Sequence, residues 1–192
     1  MIRGLYNWTM GLAESRYALG ALAAVSFVES SVFPIPPDIL MIPMILATPH
    51  RAFLIAGVCT LASVLGGLFG YFIGFALFES VGRPVLEFYG KDAYFEDFSL
   101  RYNDFGAWAV LIAGVTPFPY KVITILSGST ALSLPVFIFA SVIARGLRFF
   151  LVAALLYKFG APIRDFIERR LGLMFTLFCI LLIGGFYAIR YL

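Results

Sequence analysis

The chain has 192 residues, of which 61% are hydrophobic and 13% are charged, and its formal net charge is +3. Soluble domains are about 45–50% apolar and about 25% charged, so this composition predicts an integral membrane protein. The length allows one compact domain, and the scattered basic residues lack the clustered basic face of a nucleic-acid-binding protein. His50 is the single histidine and no Cys/His cluster has metal-site spacing, so we expect no metal and no cofactor.

The first apolar run, residues 17–33, leads into the sequence FPIPPD (33–38), and a second run follows at residues 39–49. The second run is about 16 Å long as a helix, which is too short to cross a hydrocarbon core of about 30 Å. Irregular backbone at membrane depth is stable only where protein or a water-filled cavity covers it. We therefore predict a re-entrant helical hairpin that enters and leaves on the same side. Its turn contains three prolines: Pro34, Pro36 and Pro37.

Residues 52–78 carry no charge and extend about 40 Å as a helix, so they form the first predicted spanning helix. Small residues recur along it at a spacing that lets a second helix approach closely. These predicted packing positions are Ser63, Gly66, Gly67, Gly70 and Gly74. The connector 79–105 carries aromatic residues at helical spacing, which predicts a helix lying in the headgroup plane. The aromatic residues are Phe95, Phe98, Tyr102 and Phe105.

The same order of segments then returns. An apolar arm at residues 106–116 meets the sequence TPFPYK (116–121), which contains Pro117 and Pro119, and a short run follows at residues 122–134. We interpret these segments as a second re-entrant hairpin. A spanning helix is predicted next, at residues 135–157. The last segment, residues 171–192, is predicted to be a separate C-terminal transmembrane helix.

Two pairs of phrases support a duplication. FPIPPD aligns with TPFPYK, and GRPVLEF (82–88) aligns with GAPIRDF (160–166) in the same order. We infer a membrane domain over residues 1–170, with repeat 1 at about 17–88 and repeat 2 at about 106–166. One crossing per repeat would insert the second repeat upside down relative to the first, which is the plan of many secondary transporters. The predicted fold is an all-α integral membrane protein, built from an inverted repeat of a re-entrant hairpin plus a transmembrane helix.

The distribution of basic residues predicts the orientation. More Lys and Arg residues fall on the side of the N-terminus than on the opposite side, which favours a cytoplasmic N-terminus. We expect a multi-pass protein of the plasma membrane, most simply the inner membrane of a bacterium.

Ionisable residues at membrane depth are the candidate functional residues. Asp, Lys or Arg at the bilayer centre costs about 2.5–3.5 kcal/mol each on the insertion scale, so we expect these side chains to face inward, paired or hydrated. Both acids come from the first repeat and all three bases from the second, so hairpins that meet would place acid against base. The residues are Glu29, Asp38, Lys121, Arg145 and Arg148.

Structural and functional explanations are both open for these charges. Glu29 and Asp38 could cap hairpin helices, Lys121 could extend to the headgroups, and Arg145 and Arg148 could form purely structural ion pairs. The functional interpretation is that the three bases bind a phosphate headgroup. Glu29 and Asp38 would then couple proton uptake to release of the arginines.

Two stretches of the sequence resemble a known family. The stretch from Glu29 to Asp38 and the stretch GVTPFPYKVITILSGS (114–129), followed by an arginine-bearing helix, are similar to DedA membrane proteins. This family is also called the VTT or SNARE-associated Golgi protein family. The resemblance covers roughly residues 15–165. Thr116 and Pro37 stand near positions where many members have arginine and glycine, so the chain looks like a divergent branch with a TPxPYK signature.

The resemblance implies opposed re-entrant hairpins and a role in moving lipids between leaflets. Bacterial members are linked to undecaprenyl phosphate or phosphatidylethanolamine, and eukaryotic relatives to phospholipid scrambling. By resemblance, Glu29 and Asp38 are the acidic pair tied to proton-motive force. Arg145 and Arg148 are the basic pair in the helix after the second hairpin.

We therefore expect a lipid transporter of the flippase or scramblase type, and not an enzyme. Its expected partners are membrane lipids with a phosphate headgroup and protons, and homo-oligomerisation stays open. One alternative is a proton-coupled exporter of a small cation or osmolyte that uses the same acids. Another is a non-transporting membrane assembly factor. An intramembrane lipid phosphatase is a weaker alternative, because the sequence lacks a nucleophile–base pair and a metal-binding carboxylate cluster.

Overall fold

The computed structural model describes the backbone of residues 17–33, 36–116 and 119–189 and, apart from residues 92 and 161, the side chains as far as Pro162. Pro34 and Pro117, which were assigned to the hairpin turns, lie outside the described residues. The packing of the C-terminal helix predicted over residues 171–192 also lies outside them.

Within these ranges the secondary structure is helical, with no strand, as the lengths of the apolar segments predicted. The helices are α1 (Ala18–Ser31), α2 (Asp38–Ala47), α3 (Ala52–Leu77), α4 (Arg83–Tyr89), α5 (Asp92–Val115), α6 (Tyr120–Ser129) and α7 (Leu134–Ile189). A 3₁₀ turn, Pro49–Arg51, leads into α3, and a π-helical turn, Phe78–Gly82, joins α3 to α4.

Two helical stretches among the described residues are long and apolar enough to cross a membrane. They are Pro49–Tyr89, with 41 residues, and Leu134–Gly160, with 27 residues. Two of the three predicted spanning segments, 52–78 and 135–157, lie inside them. By contrast, α1 and α2 have 14 and 10 residues. Their lengths of about 21 and 15 Å are too short to cross the hydrocarbon core.

A ten-residue helix follows each proline-rich break. Pro37 stands immediately before α2 with φ −64°, and Pro119 stands immediately before α6 with φ −62°. The proline ring fixes φ near this value and removes the backbone N–H. Each short helix is followed in turn by one of the two long apolar helices. The order of break, short helix and long helix therefore occurs twice. The segments at about 17–88 form the first unit and those at about 106–166 form the second.

The connector between the two units differs from the prediction. The chain turns at Gly90, which has a left-handed φ of 61°, and α5 then runs without a break from Asp92 to Val115. The predicted extent of the connector helix, residues 79–105, is therefore wrong at its C-terminal end, because α5 continues without a break into the arm at 106–116. Gly106 is not a helix break. It lies so close to the side chain of Leu132 that an added Cβ would overlap it, so this glycine serves packing.

The aromatic residues of α5 also contact protein. The Phe95 ring stacks on Phe78 with centroids 4.4 Å apart, and the Tyr102 hydroxyl lies 3.0 Å from Ser127 Oγ in α6. Phe98 and Phe105, which are 44% and 69% exposed, are the members of the predicted row that are mainly uncovered. A second difference is that one helix, α7, contains both the spanning segment 135–157 and residues 171–189.

Helix α3 is the centre of the packing, because α1, α6 and α7 all contact it. Its glycines lie where neighbouring backbone comes closest: an added Cβ at Gly66 would overlap the carbonyl of Phe27 in α1, and one at Gly74 would overlap the carbonyl of Ile125 in α6. Gly70 approaches Thr124 and Gly67 lies in ordinary contact with it. The small residues of α3 thus admit one helix from each unit.

The glycine contacts give a direct test of this packing. In Gly66→Ala the new methyl group meets the Phe27 backbone, which cannot move as a side chain can, so we expect a loss of about 1–3 kcal/mol of unfolding free energy. Gly57→Ala is the matched control in the same helix, because nothing lies within 4 Å of a Cβ there. The control should be neutral or slightly stabilising. Unfolding in detergent measures both variants, and equal stability would contradict the packing.

Candidate functional site

The five charged residues singled out by the sequence come from four helices. Glu29 lies in the last turn of α1, Asp38 begins α2, and Lys121 lies in the first turn of α6. Arg145 and Arg148 are three residues apart in α7, so they share one face of that helix. The structure joins the acids to the arginines in two ion pairs.

Glu29 and Arg145 form the more buried pair. Arg145 Nη2 donates to Glu29 Oε2 at 2.6 Å, and the two side chains are 0% and 14% exposed, respectively. The explanation of Glu29 as a helix N-terminal cap is wrong, because this residue lies at the C-terminal end of α1. The helix dipole disfavours a negative charge at that end. The position of the carboxylate is therefore explained by Arg145, which stands 116 residues later in the chain.

The Arg145 guanidinium is enclosed on both faces. Its Cζ lies 4.8 Å from the centroid of the Tyr120 ring and 4.7 Å from that of Phe149, so two aromatic faces cover the cation. Its Nε donates to Ser63 Oγ at 2.6 Å. Its Nη1 is buried and has no hydrogen-bond partner among the described residues. Arg145 thus has donors available for one further acceptor in the protein interior.

Asp38 and Arg148 form the second pair, which is nearer the surface. Arg148 Nη2 donates to Asp38 Oδ2 at 2.7 Å, with the side chains 23% and 22% exposed. Arg148 Nη1 makes a long contact of 3.4 Å with the carbonyl oxygen of Thr116, just beyond α5. Asp38 occupies the first turn of α2, where the dipole favours a carboxylate, but the capping position itself is held by Pro37. The Asp38 carboxylate contacts Arg148 instead.

Lys121 connects the two units without an ion pair among the described residues. Its Nζ donates to the carbonyl oxygen of Val32 at 3.3 Å, immediately after α1. A cation is favoured at a helix C-terminus, because the last carbonyls lack partners there. One turn along α6, Thr124 Oγ1 donates to the Ser30 carbonyl at 3.1 Å. The start of α6 is therefore fixed against the end of α1.

The two ion pairs lie close enough to interact, Lys121 lies at the end of α1 that carries Glu29, and the five residues differ in their access to solvent. Arg145 is closed off, whereas Lys121 and Arg148 keep partial exposure. Sequence analysis identified these charges but missed the groups that enclose Arg145, which are Tyr120 and Phe149. It also assigned Ser63 only to packing. In the sequence, Tyr120 precedes Lys121 and Phe149 follows Arg148. Because arginine often stacks on aromatic faces, these neighbouring aromatic residues were the signal that could have predicted the enclosure of Arg145.

Comparison with known proteins identifies the class. The chain matches the VTT domain over residues 33–158. It is 36% identical over 168 residues to an uncharacterised protein of Haemophilus influenzae, which covers 85% of this chain and 87% of the relative. An uncharacterised protein of Histophilus somni has the same identity and coverage. No solved structure matches. The chain therefore belongs to the VTT domain family of membrane proteins, the DedA family, as the sequence resemblance predicted.

The buried pair predicts non-additive stability. Glu29→Gln leaves Arg145 unpaired and Arg145→Gln leaves a carboxylate unpaired, and each change should cost about 3–5 kcal/mol. The double variant removes both charges, so it should lose clearly less than the sum of the two single losses. Asp38→Asn and Arg148→Gln form the comparison cycle, which should show weaker coupling because that pair is partly hydrated. Unfolding free energies in detergent measure both cycles, and additive losses for Glu29 and Arg145 would contradict a direct interaction.

Proposed function

We propose that the protein is a lipid transporter that moves a phosphate-bearing lipid, such as a polyprenyl phosphate or a phospholipid, between leaflets. Proton uptake by Glu29 and Asp38 would be coupled to this movement. The observation that carries the proposal is the pair of acid–arginine contacts that join the two units inside an apolar protein. The proposed location is the bacterial inner membrane, with a cytoplasmic N-terminus.

The order of helices supports an inverted repeat of re-entrant hairpins. In each unit a proline break precedes a helix too short to cross, and one long apolar helix follows. If each unit contributes one crossing, the second unit is inverted relative to the first. Transporters with this plan place broken helices around a site near the midplane and alternate its access between the two sides. We propose that the cluster of five charges is that site.

The charge of the cluster suits an anionic headgroup. Three cations and two ionised carboxylates sum to +1, and protonation of both carboxylates raises the sum to +3. Arginine binds phosphate oxygens with paired hydrogen bonds, and lysine adds a point charge. Arg148 and Lys121 are the accessible cations, so they would make the first contacts. The Nη1 of Arg145, which has no partner among the described residues, would donate to a phosphate oxygen once the site opens.

Protonation of Glu29 and Asp38 would couple proton uptake to binding of the lipid headgroup. A proton on Glu29 removes its negative charge and weakens its contact with Arg145, and a proton on Asp38 does the same for Arg148. A guanidinium without its carboxylate is left unpaired in the protein interior, which is costly unless another anion replaces the acid. A phosphate headgroup is such an anion. Binding of the lipid headgroup and protonation of the acids would therefore favour each other.

A lipid-transfer assay tests the function. We expect the purified full chain in vesicles to move a polyprenyl phosphate or a phospholipid faster than it moves the uncharged polyprenol, and faster at lower pH. Glu29→Gln should remain folded and lose the pH dependence. Glu79→Gln is the matched control, because Glu79 is 51% exposed in a local ion pair with Arg83. Wild-type protein that moves none of these lipids, or Glu29→Gln with unchanged pH dependence, would contradict the proposal.

A further inference from the structure

Four side chains form a closed ring of hydrogen bonds where α1, α3 and α7 meet. Arg145 donates from Nη2 to Glu29 Oε2 at 2.6 Å and from Nε to Ser63 Oγ at 2.6 Å. Ser63 Oγ lies 2.7 Å from Ser30 Oγ, and Ser30 Oγ donates to Glu29 Oε2 at 3.0 Å. Ser30 and Ser63 are both 0% exposed, so water does not compete for their hydroxyls.

The chemistry of these groups fixes the direction of every bond in the ring. A guanidinium nitrogen can only donate, so Ser63 Oγ accepts from Arg145. Each serine hydroxyl has a single proton. Ser30 gives its proton to Glu29, so the bond between the two serines must be donated by Ser63. With Glu29 ionised, every donor in the ring meets an acceptor.

The hydrogen-bond donors of the ring do not match a protonated Glu29. A proton on Oε2 would face two groups that already donate to that atom, the Nη2 of Arg145 and the hydroxyl of Ser30. A proton on Oε1 would leave Oε2 as a neutral carbonyl oxygen, and hydrogen bonds to a neutral acceptor are weaker than those to a carboxylate. Ser30 cannot turn to accept a proton from Glu29 unless it first gives up its own donation. Because Ser63 donates to Ser30, a Ser30 proton turned away from Glu29 would meet a donor and not an acceptor within the ring.

We propose that Ser30 and Ser63 are positioning residues that hold Glu29 ionised while Arg145 is bound, so that Glu29 gains a proton readily only when the contact between the two serines opens. This inference rests on the proposed function for the use made of the proton. The hydrogen-bond ring itself stands on geometry alone. Ser63 would thus have a second role beyond admitting α1 to the surface of α3.

Other charged or titratable groups lie around the Glu29–Arg145 pair and the end of α1, and they stay unchanged when the serines are replaced. They come from each helix packed near the end of α1. Cys59 belongs to α3, Tyr120 and Lys121 to α6, Asp38 to α2, and Arg145 and Arg148 to α7. A change caused by a serine variant can therefore be assigned to its hydroxyl.

The test compares three serine-to-alanine variants of the full chain in lipid bilayers. Ser30→Ala removes a donor to the Glu29 carboxylate. Ser63→Ala removes the neighbouring donor, so the Ser30 hydroxyl can turn its proton away and its oxygen can accept from a protonated Glu29. Ser26→Ala is the matched control. Ser26 lies one turn before Ser30, is 0% exposed, and donates across the same helix contact to the Cys59 carbonyl at 3.1 Å, but it takes no part in the ring.

The measurement is the pH profile of Glu29 protonation, read from the infrared band of its protonated carboxyl group, which is the band lost in Glu29→Gln. Ser30→Ala and Ser63→Ala should move the profile to higher pH, by about one pH unit for the donor lost in Ser30→Ala. Ser26→Ala should leave the profile in place. A profile that moves in neither ring variant, or equally in all three variants, would overturn the inference.

The infrared band reports the protonation of Glu29 and not the movement of lipid between leaflets, so its result is read independently of transport. A shift in the two ring variants of a protein that moves no lipid would sustain the ring and contradict the proposed function. Lipid transfer with no shift would sustain the function and overturn the ring. The two proposals are therefore tested separately.

Discussion

A charged guanidinium in an apolar interior constrains everything packed around it, and Arg145 is fully buried. It must be neutralised by an acid and must have its N–H groups accepted, because an unpaired ion there would cost several kcal/mol. Glu29 neutralises it from α1 and accepts from Nη2, and Ser63 in α3 accepts from Nε, whereas Nη1 has no partner among the described residues. The rings of Tyr120 and Phe149 cover its faces. One side chain thereby fixes the relative positions of helices from both units.

The small residues of α3 make this arrangement possible. A serine side chain is short, so Ser63 reaches both Arg145 and Ser30 only because α1 lies almost against the α3 backbone. The missing side chain of Gly66 allows that approach, and the missing side chain of Gly74 allows the same for α6. Close helix packing and the polar cluster are therefore one structural feature. The glycines that sequence analysis assigned to packing also permit the site to form.

Features set by local sequence were predictable. The length of an apolar run decides whether a helix can cross a membrane, so the spanning segments 52–78 and 135–157 were found from the sequence. Charges inside apolar runs are costly wherever they lie, so the five ionisable residues also stood out. The unbroken helix α5 was missed because the apolar arm was taken to begin at Gly106, immediately after the charged connector ends. Its contact with Leu132 explains the glycine without a break.

Features set by contacts distant in the chain were not predictable in detail. Acids and bases are joined across 110 and 116 residues, and no local pattern pairs Glu29 with Arg145 instead of with Arg148. The hydroxyl ring is harder still to foresee, because it depends on the direction in which two buried serines donate. Neither serine has an unusual sequence context. The class of site was thus predictable from the sequence, whereas the particular ion pairs and hydrogen bonds within it depend on the fold.

The most direct test of this account is the distance between the Glu29 carboxyl carbon and the Arg145 guanidinium nitrogens in a lipid bilayer. Solid-state NMR of the full chain, with ¹³C and ¹⁵N labels at these groups, measures it through their dipolar coupling. The account predicts the strong coupling of groups in direct contact, with Nη2 and Oε2 at 2.6 Å. An absence of coupling in a folded protein would show that the pair does not form, and would contradict the central claim.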